Sequence, residues 1–233
     1  MNKCSKNVVA DYKTDISAVK ALEAYGFNVI FTKQIDKLHP SVDGHADLQL
    51  SAVGKDIVVC EENYEYYKNK LTESIKCGTS KLNEKYPFDI AYNAAILGKY
   101  AIHYFKFTDA VLRECIKKNF LFEINTKQGY SKCSICIVSD NAIITEDDNI
   151  IKSIKNTDID VLKISKGSVK LNGMNYGFFG GATGLYENKL FINGELKFHE
   201  DNIKIKEFCK KHKVEIIELK KGELYDIGSI MFI

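Results

Sequence analysis

Arginine is nearly absent from this sequence. Arg113 is the only one, and it falls on the face of a predicted helix. A small molecule carrying a carboxylate is commonly held by a bidentate arginine, so this scarcity favours a ligand without a carboxylate. An excess of charge of one sign is also lacking. The 33 basic and 31 acidic residues leave a net charge of +2, and they are interspersed, so no DNA- or RNA-binding footprint appears. No window approaches the roughly 18 consecutive apolar residues of a membrane span. The start of the chain offers only Val8-Val9-Ala10 as an apolar stretch, too short for a secretory signal core. The seven cysteines are an odd set; with no signal peptide they are expected as free thiols in a reducing cytoplasm.

What is present is ordinary for a globular chain: 233 residues, 45% hydrophobic and 27% charged. One domain over residues 1–233 is expected, with enough length for a sizeable core. Its most informative pattern is a repeat. Ala46 to Val53 leads through Gly54-Lys55 to Asp56–Cys60. Phe88 to Leu97 leads through Gly98-Lys99 to Tyr100–Phe105. Cys133 to Ser139 leads through Asp140-Asn141 to Ala142–Thr145, and Phe178 to Tyr186 leads through Glu187-Asn188 to Lys189–Asn193. Each pair reads as a β-hairpin, rich in Val, Ile, Tyr and Phe around residues that tolerate tight turns.

A helical pattern follows each hairpin, at Asn63–Ser74, Thr108–Lys118, Glu146–Asn156 and Glu200–His212. Thr108-Asp109 and the Thr145–Asp148 stretch supply helix starts. A further strand follows three of these helices, at Phe120–Ile124, Ile159–Ile164 and Val214–Leu219; after the first helix no third strand is apparent up to Pro87. The turns recur about every 45 residues, which marks repeated supersecondary units. At the ends, Asn7–Tyr12 reads as a strand, Asp15–Tyr25 as a helix, Phe27–Thr32 as a strand and Ile227–Ile233 as a last strand. Joined across the termini, they would make a fifth unit and remove exposed sheet edges.

Five ββα units with terminal closure resemble the pentein fold, also called the guanidino-group-modifying enzyme fold, of the arginine deiminase, agmatine deiminase and dimethylarginine dimethylaminohydrolase superfamily. The resemblance implies an α/β propeller with pseudo-fivefold symmetry and an axial polar pocket. The stretch Asp43-Gly44-His45-Ala46-Asp47 resembles the D-G-H-x-D of agmatine deiminases, and Gly228-Ser229-Ile230 resembles the Gly/Ser-rich strand that carries the nucleophile in these enzymes. The family's nucleophile is a cysteine on the last strand, yet no cysteine follows Cys209 here. Its His-x-Asp belongs to a middle unit, whereas here it leads into the first hairpin. Deiminase chemistry by the usual route is therefore not expected.

In such a ring Asp47, Asn93, Cys133, Thr183 and Ser229 open the five inner strands at one mouth, flanked by His45 and Lys132. If the site is catalytic, the chemistry of these side chains makes Cys133 the expected nucleophile with His45 and Asp47 in support, the alternative for Cys133 being a buried inert thiol; Asp43, Asn93, Lys132, Thr183 and Ser229 are the expected ligand-binding residues. On an extended strand His45 and Asp47 would share a face, while Lys132 would point away from Cys133, weakening it as a source of thiolate stabilisation. The C-x-x-C spacing of Cys133 and Cys136 puts two strand thiols on opposite faces, so neither metal nor redox pairing is expected there. His39, His103, His199 and His212 lack metal-ligand spacing, and no cofactor is expected. The glycine-rich run Gly177–Gly184 lacks the phosphate-loop pattern and reads as close packing near the axis. The expected partner is a small amine- or guanidine-bearing molecule. The competing reading is a catalytically silent pentein that binds protein or ribonucleoprotein.

Overall fold

The computed structural model describes residues 6–233; Cys4 lies outside them. The chain runs β1 (Asn7–Ala10), α1 (Ile16–Ala24), β2 (Asn28–Phe31), α2 (Ala46–Gln49), β3 (Leu50–Val53), β4 (Asp56–Val59), α3 (Tyr64–Lys68) and β5 (Ser74–Cys77). It continues with β6 (Ala95–Leu97), β7 (Tyr100–His103), α4 (Ala110–Lys118), β8 (Phe122–Asn125), α5 (Ser131–Ser134), β9 (Ile135–Ser139), β10 (Ala142–Thr145), α6 (Asp148–Ser153) and β11 (Asp160–Lys163). It ends with β12 (Val169–Lys170), β13 (Thr183–Tyr186), β14 (Lys189–Ile192), α7 (Asn202–Lys211), β15 (Glu215–Glu218), β16 (Leu224–Tyr225) and β17 (Met231–Phe232).

This is a mixed α/β fold. Among the described residues, five three-stranded sheets share one design: β3-β4-β5, β6-β7-β8, β9-β10-β11, β13-β14-β15 and β17-β1-β2. In each, the central strand pairs antiparallel with the first and parallel with the third. The parallel step needs a crossover, and in each sheet a helix supplies it: α1, α3, α4, α6 or α7. The terminal strands pair as expected, with Val8 opposite Phe232 and Val9 opposite Met231. The short β12–β16 pair was not anticipated.

Local sequence accounts for most boundaries. Asp109 caps α4 by accepting the N–H groups of Val111 and Leu112, and the same helix buries Leu112, Cys115 and Ile116 on one face. Asp147 caps α6 through Asn149 and Ile150, and Asp15 caps α1 through Ser17. Gly54 and Gly98 take positive φ in their hairpin turns, where glycine is least strained. In the fourth turn the positive φ falls on Glu187 rather than Asn188.

Three expectations are corrected. The first helix stops at Lys68, and Ser74–Cys77 is the missing third strand. That strand was illegible because only Ile75 gives it apolar character, and its Lys76 pairs across to Asp56 at 2.8 Å. The inner strands begin later than expected, because Asp47 and Cys133 lie on one-turn helices, α2 and α5, and Asn93 precedes β6. The glycine-rich run is likewise only partly strand; Gly180–Ala182 is a 3-10 turn and β13 starts at Thr183.

The close packing expected of that run is present. A Cβ on Gly180 would lie 2.5 Å from the Cys133 carbonyl oxygen, and one on Gly184 would lie 2.2 Å from the Ile230 carbonyl oxygen. Neighbouring backbones therefore meet where no side chain fits. Apolar clusters around Leu50, Val59 and Leu112, around Ile135 and Ile143, around Leu190 and Ile192, and around Val8 and Leu22 fill the spaces between sheets and helices. No helix among the described residues is long and apolar enough to cross a membrane.

Candidate functional site

Four chain segments meet at Cys133. The turn α5 supplies Cys133 and Lys132, and α2 with its preceding residue supplies Asp47 and His45. The segment before β6 supplies Asn93, and the chain just before β17 supplies Asp226 and Ser229. The Cys133 thiol donates to Asp47 Oδ2 at 3.1 Å. Ser229 Oγ donates to the same oxygen at 2.6 Å, and Lys132 Nζ donates to Ser229 Oγ at 3.0 Å. Asp47 Oδ1 is buried and accepts no hydrogen bond among the described residues.

Asn93 locks this arrangement. Its Nδ2 donates to the Asp47 carbonyl at 3.1 Å and to Cys133 Sγ at 3.3 Å, while its Oδ1 accepts the backbone N–H groups of Lys132 (2.8 Å) and Cys133 (3.3 Å). One fully buried amide thus ties the first, second and third hairpin units together. The chain before β17 adds strain to the same place: Gly228 and Ser229 both have φ in the left-handed region, at 62° and 69°. Glycine accepts that at little cost but serine does not. A Cβ on Gly228 would lie 2.2 Å from the His45 Cβ, and the Asp47 N–H donates to the Gly228 carbonyl at 3.1 Å.

Asp226 is the functional candidate that sequence reasoning missed. It is 1% exposed, and its two oxygens accept the N–H groups of Phe178 (2.8 Å) and Gly228 (2.9 Å). His45 Nε2 stands 4.0 Å from its Oδ1. Gly181 makes room for it, since a Cβ there would lie 2.0 Å from Asp226 Oδ1. The available signal was Asp226-Ile227-Gly228, an aspartate two residues before a glycine, which is an Asx-turn pattern.

The electrostatics disfavour a resting thiolate. Burial pushes the Cys133 thiol well above its ordinary range, and the Asp47 and Asp226 carboxylates push it the same way. Burial also raises Asp226, against the pull of His45. Lys132 was expected to point away from Cys133 on a strand; on the α5 turn it reaches Ser229 instead.

Two cavities flank the His45–Asp226 pair. One, of about 360 Å³, is lined by Cys133 together with Asp89, Tyr130, Tyr176 and Phe178. The other, of about 580 Å³, is lined by Asp11, Lys13, Asn172 and Lys220. His39, His45, Leu171 and Asp226 belong to both. Among the residues assigned from sequence, His45 and Cys133 face these spaces. Asp47, Asn93 and Ser229 stand behind Cys133, packed against it and against each other. Asp43 does not face the cavities: its carboxylate is taken up by Lys13 and by Tyr12 Oη. Thr183 turns its hydroxyl to the Gly180 carbonyl at 3.0 Å.

His45, Asp47 and Cys133 place a nitrogen, an oxygen and a sulfur donor within 4.8 Å of one another, the one such grouping among the described residues. A divalent ion there would be held by the deprotonated thiol, whose sulfur lies 3.1 Å from Asp47 Oδ2.

A family model described as "Family of unknown function (DUF6873)" matches residues 9–231. A search of curated proteins finds no match. Among solved structures, the chain is similar to a cysteine-to-serine mutant of DDAH from Pseudomonas aeruginosa complexed with citrulline, with 9% identity, 92% of this chain and 91% of that one covered, and a TM-score of 0.57. It is similar to the agmatine deiminase of C. jejuni, with 10% identity, 93% and 88% coverage and a TM-score of 0.54. It is also similar to the inosamine-phosphate amidinotransferase of Streptomyces griseus, with 10% identity, 92% and 88% coverage and a TM-score of 0.51. At such identities the likeness speaks for the fold alone. The chain belongs to the DUF6873 family and has the pentein fold.

Proposed function

We propose that this protein binds a small amine- or guanidine-bearing cation at the His45–Asp226 pair and hydrolyses it with Cys133 as nucleophile. The observation that carries the reading is the Cys133 thiol aimed at Asp47 Oδ2 from the wall of a cavity that also holds Asp226. The arrangement of the five sheets around one axis belongs to the same reading. A third cavity, of about 260 Å³, supports it, because Ser51, Ile96, Ile137, Thr183 and Met231, one from each sheet, line it together.

The chemistry follows from the positions. A cation beside Asp226 offsets the carboxylate charge that opposes thiolate formation. As Cys133 Sγ adds to the amidine carbon, its proton passes to Asp47, and the C=N electron pair moves onto nitrogen. The C–N bond then breaks, and the departing nitrogen takes the proton held by Asp47. Water next adds to the carbon, giving one proton to His45. The C–S bond breaks, and Sγ takes the proton that water gave to His45. The remaining proton leaves on the amine. Overall, one cation and one water become a neutral urea and an ammonium. Asn93, Ser229 and Lys132 hold Asp47 and Cys133 in position.

Methylguanidine is the simplest probe. Calorimetric titration is expected to show binding that falls at least about tenfold in Asp226→Asn, consistent with loss of a charged partner. Methylamine release is expected from the native chain and not from Cys133→Ala. Binding that is absent, or indifferent to Asp226→Asn, refutes cation recognition; release that survives Cys133→Ala refutes the nucleophile.

A further inference from the structure

The cavity that reaches Cys133 has an uneven wall. Its acidic groups are Glu84, Asp89 and Asp226, its basic groups are His39 and His45, and no lysine or arginine lines it. The lysines near the site lie elsewhere: Lys13 and Lys220 line the other cavity, which Cys133 does not reach, and Lys132 spends its Nζ on Ser229 and lines the third cavity. A carboxylate attached to the reacting molecule therefore meets no lysine or arginine on the Cys133 side.

The rest of that wall, Asn175 apart, is mostly aromatic and apolar. Tyr130 and Phe178 lie with ring centroids 6.2 Å apart and planes tilted 34°, Tyr86 continues the row at 5.7 Å from Tyr130, and Tyr176 stands edge-on to Phe178 at 6.5 Å. Tyr176 is 38% exposed and Met174 45%. The row lies outside the main apolar clusters, apart from Tyr130, so core packing does not account for it. Asp89 lies against it. It is 3% exposed, its Oδ2 accepts the Tyr130 hydroxyl, and its Oδ1 is buried with no hydrogen-bond partner among the described residues. A buried carboxylate oxygen left without a donor is costly. A ligand N–H group would satisfy it.

Resting on the function proposed above, we infer that the cation taken by this site carries a flat aromatic body and no carboxylate, with Tyr130, Tyr176 and Phe178 stacking on the body and Asp89 and Asp226 holding its N–H groups. Aromatic faces attract both a delocalised cation and a second ring. The 360 Å³ volume accommodates one substituted ring with its amidine or guanidine group.

Calorimetric titrations with phenylguanidine, methylguanidine, L-arginine and 1,4-diaminobutane test this on the full chain. Phenylguanidine is expected to bind at least about tenfold more tightly than methylguanidine, with L-arginine weaker than both. Phe178→Leu and the exposed-site variant Tyr176→Ala are each expected to shrink the phenylguanidine margin, and Asp89→Asn to weaken phenylguanidine. Methylguanidine binding that depends on Asp226, but without an aromatic margin, overturns this inference and leaves the function standing. Tighter binding of L-arginine or 1,4-diaminobutane overturns it as well. If no cation binds, both fall.

Discussion

Replacing Glu146 by glutamine turns a buried charge into a measurable pH dependence. Glu146 follows β10, is 2% exposed, and has an unpartnered Oε1. Burial raises its pKa to about 7, with Lys166 pulling the other way. An unfolded glutamate titrates near 4.3, so the folded state binds more protons between these values, and stability falls as pH rises through that window. Below about pH 4 the residue is neutral in both states and costs nothing through ionisation. Above about pH 7 the full penalty applies, roughly 4 kcal/mol at about 1.4 kcal/mol per pH unit. Glu146→Gln removes it. For a chain of this size that corresponds to a Tm increase of roughly 8–16 °C at pH 8 and little change at pH 4.5. Scanning calorimetry of both proteins at pH 4.5, 6, 7 and 8 reads the difference directly. A Tm gap that stays constant with pH, or a variant less stable at pH 8, would show that Glu146 is not a buried acid.

His103 gives the opposite slope. Burial lowers its pKa to about 4 while its ring nitrogens face Thr108 Oγ1 and the Gly129 carbonyl. Protonation therefore costs stability as pH falls from about 6.5 to 4, up to roughly 3 kcal/mol, and acid unfolding followed by circular dichroism should flatten in His103→Gln; an unchanged acid limb refutes it. Gly180→Ala forces a methyl against the Cys133 and Ile135 backbone, so a loss of about 1–3 kcal/mol in urea unfolding is expected; a neutral result would mean that the two units separate without cost. Ser229→Ala removes a hydrogen bond to a buried carboxylate, at roughly 1.5–3 kcal/mol, offset in part by nothing at φ, which alanine finds equally strained; wild-type stability would show that Asp47 does not rely on it. In the ligand-free protein, iodoacetamide should label Cys133 slowly at pH 7.5, because burial and two carboxylates oppose the thiolate; rapid labelling there, read by peptide mass spectrometry, contradicts the geometry.

The repeat was legible because its signals are local. Gly54 and Gly98 mark turns by a conformation that other residues resist, and Asp109 and Asp147 mark helix starts by satisfying free N–H groups. The pairing of β1 with β17 is not local, yet it followed from counting: a chain that starts and ends on half-units has one economical way to complete them. What failed was the boundary between strand and turn before each inner strand. Asp47 and Cys133 sit in segments read as strand because each runs straight into one, but Ala46–Gln49 and Ser131–Ser134 hold few strand formers, and long-range contacts hold them as single helical turns. Propensity is a weak prior over four residues. The amide of Asn93, which accepts two N–H groups on α5, is one such contact.

The same bend explains which parts of the site could be read and which could not. His45, Asp47 and Cys133 were chosen for chemistry that survives a change of local conformation, and the structure brings their donor atoms together. Their sides were chosen from strand alternation, which does not survive it. On a strand Lys132 would turn away from Cys133; on the turn it reaches Ser229, which in turn reaches Asp47. Ser229 was read as a ligand contact from its place at the axial mouth; it is 0% exposed, with its hydroxyl donating to Asp47. Asp226 escaped because its importance lies in what it lacks. It has backbone N–H donors and a histidine nearby, but no lysine or arginine pairs with it among the described residues. A sequence lists charges without saying which are left unneutralised. In this fold Asp226 sits at the junction of two cavities, and the Cys133 thiol lines one of them.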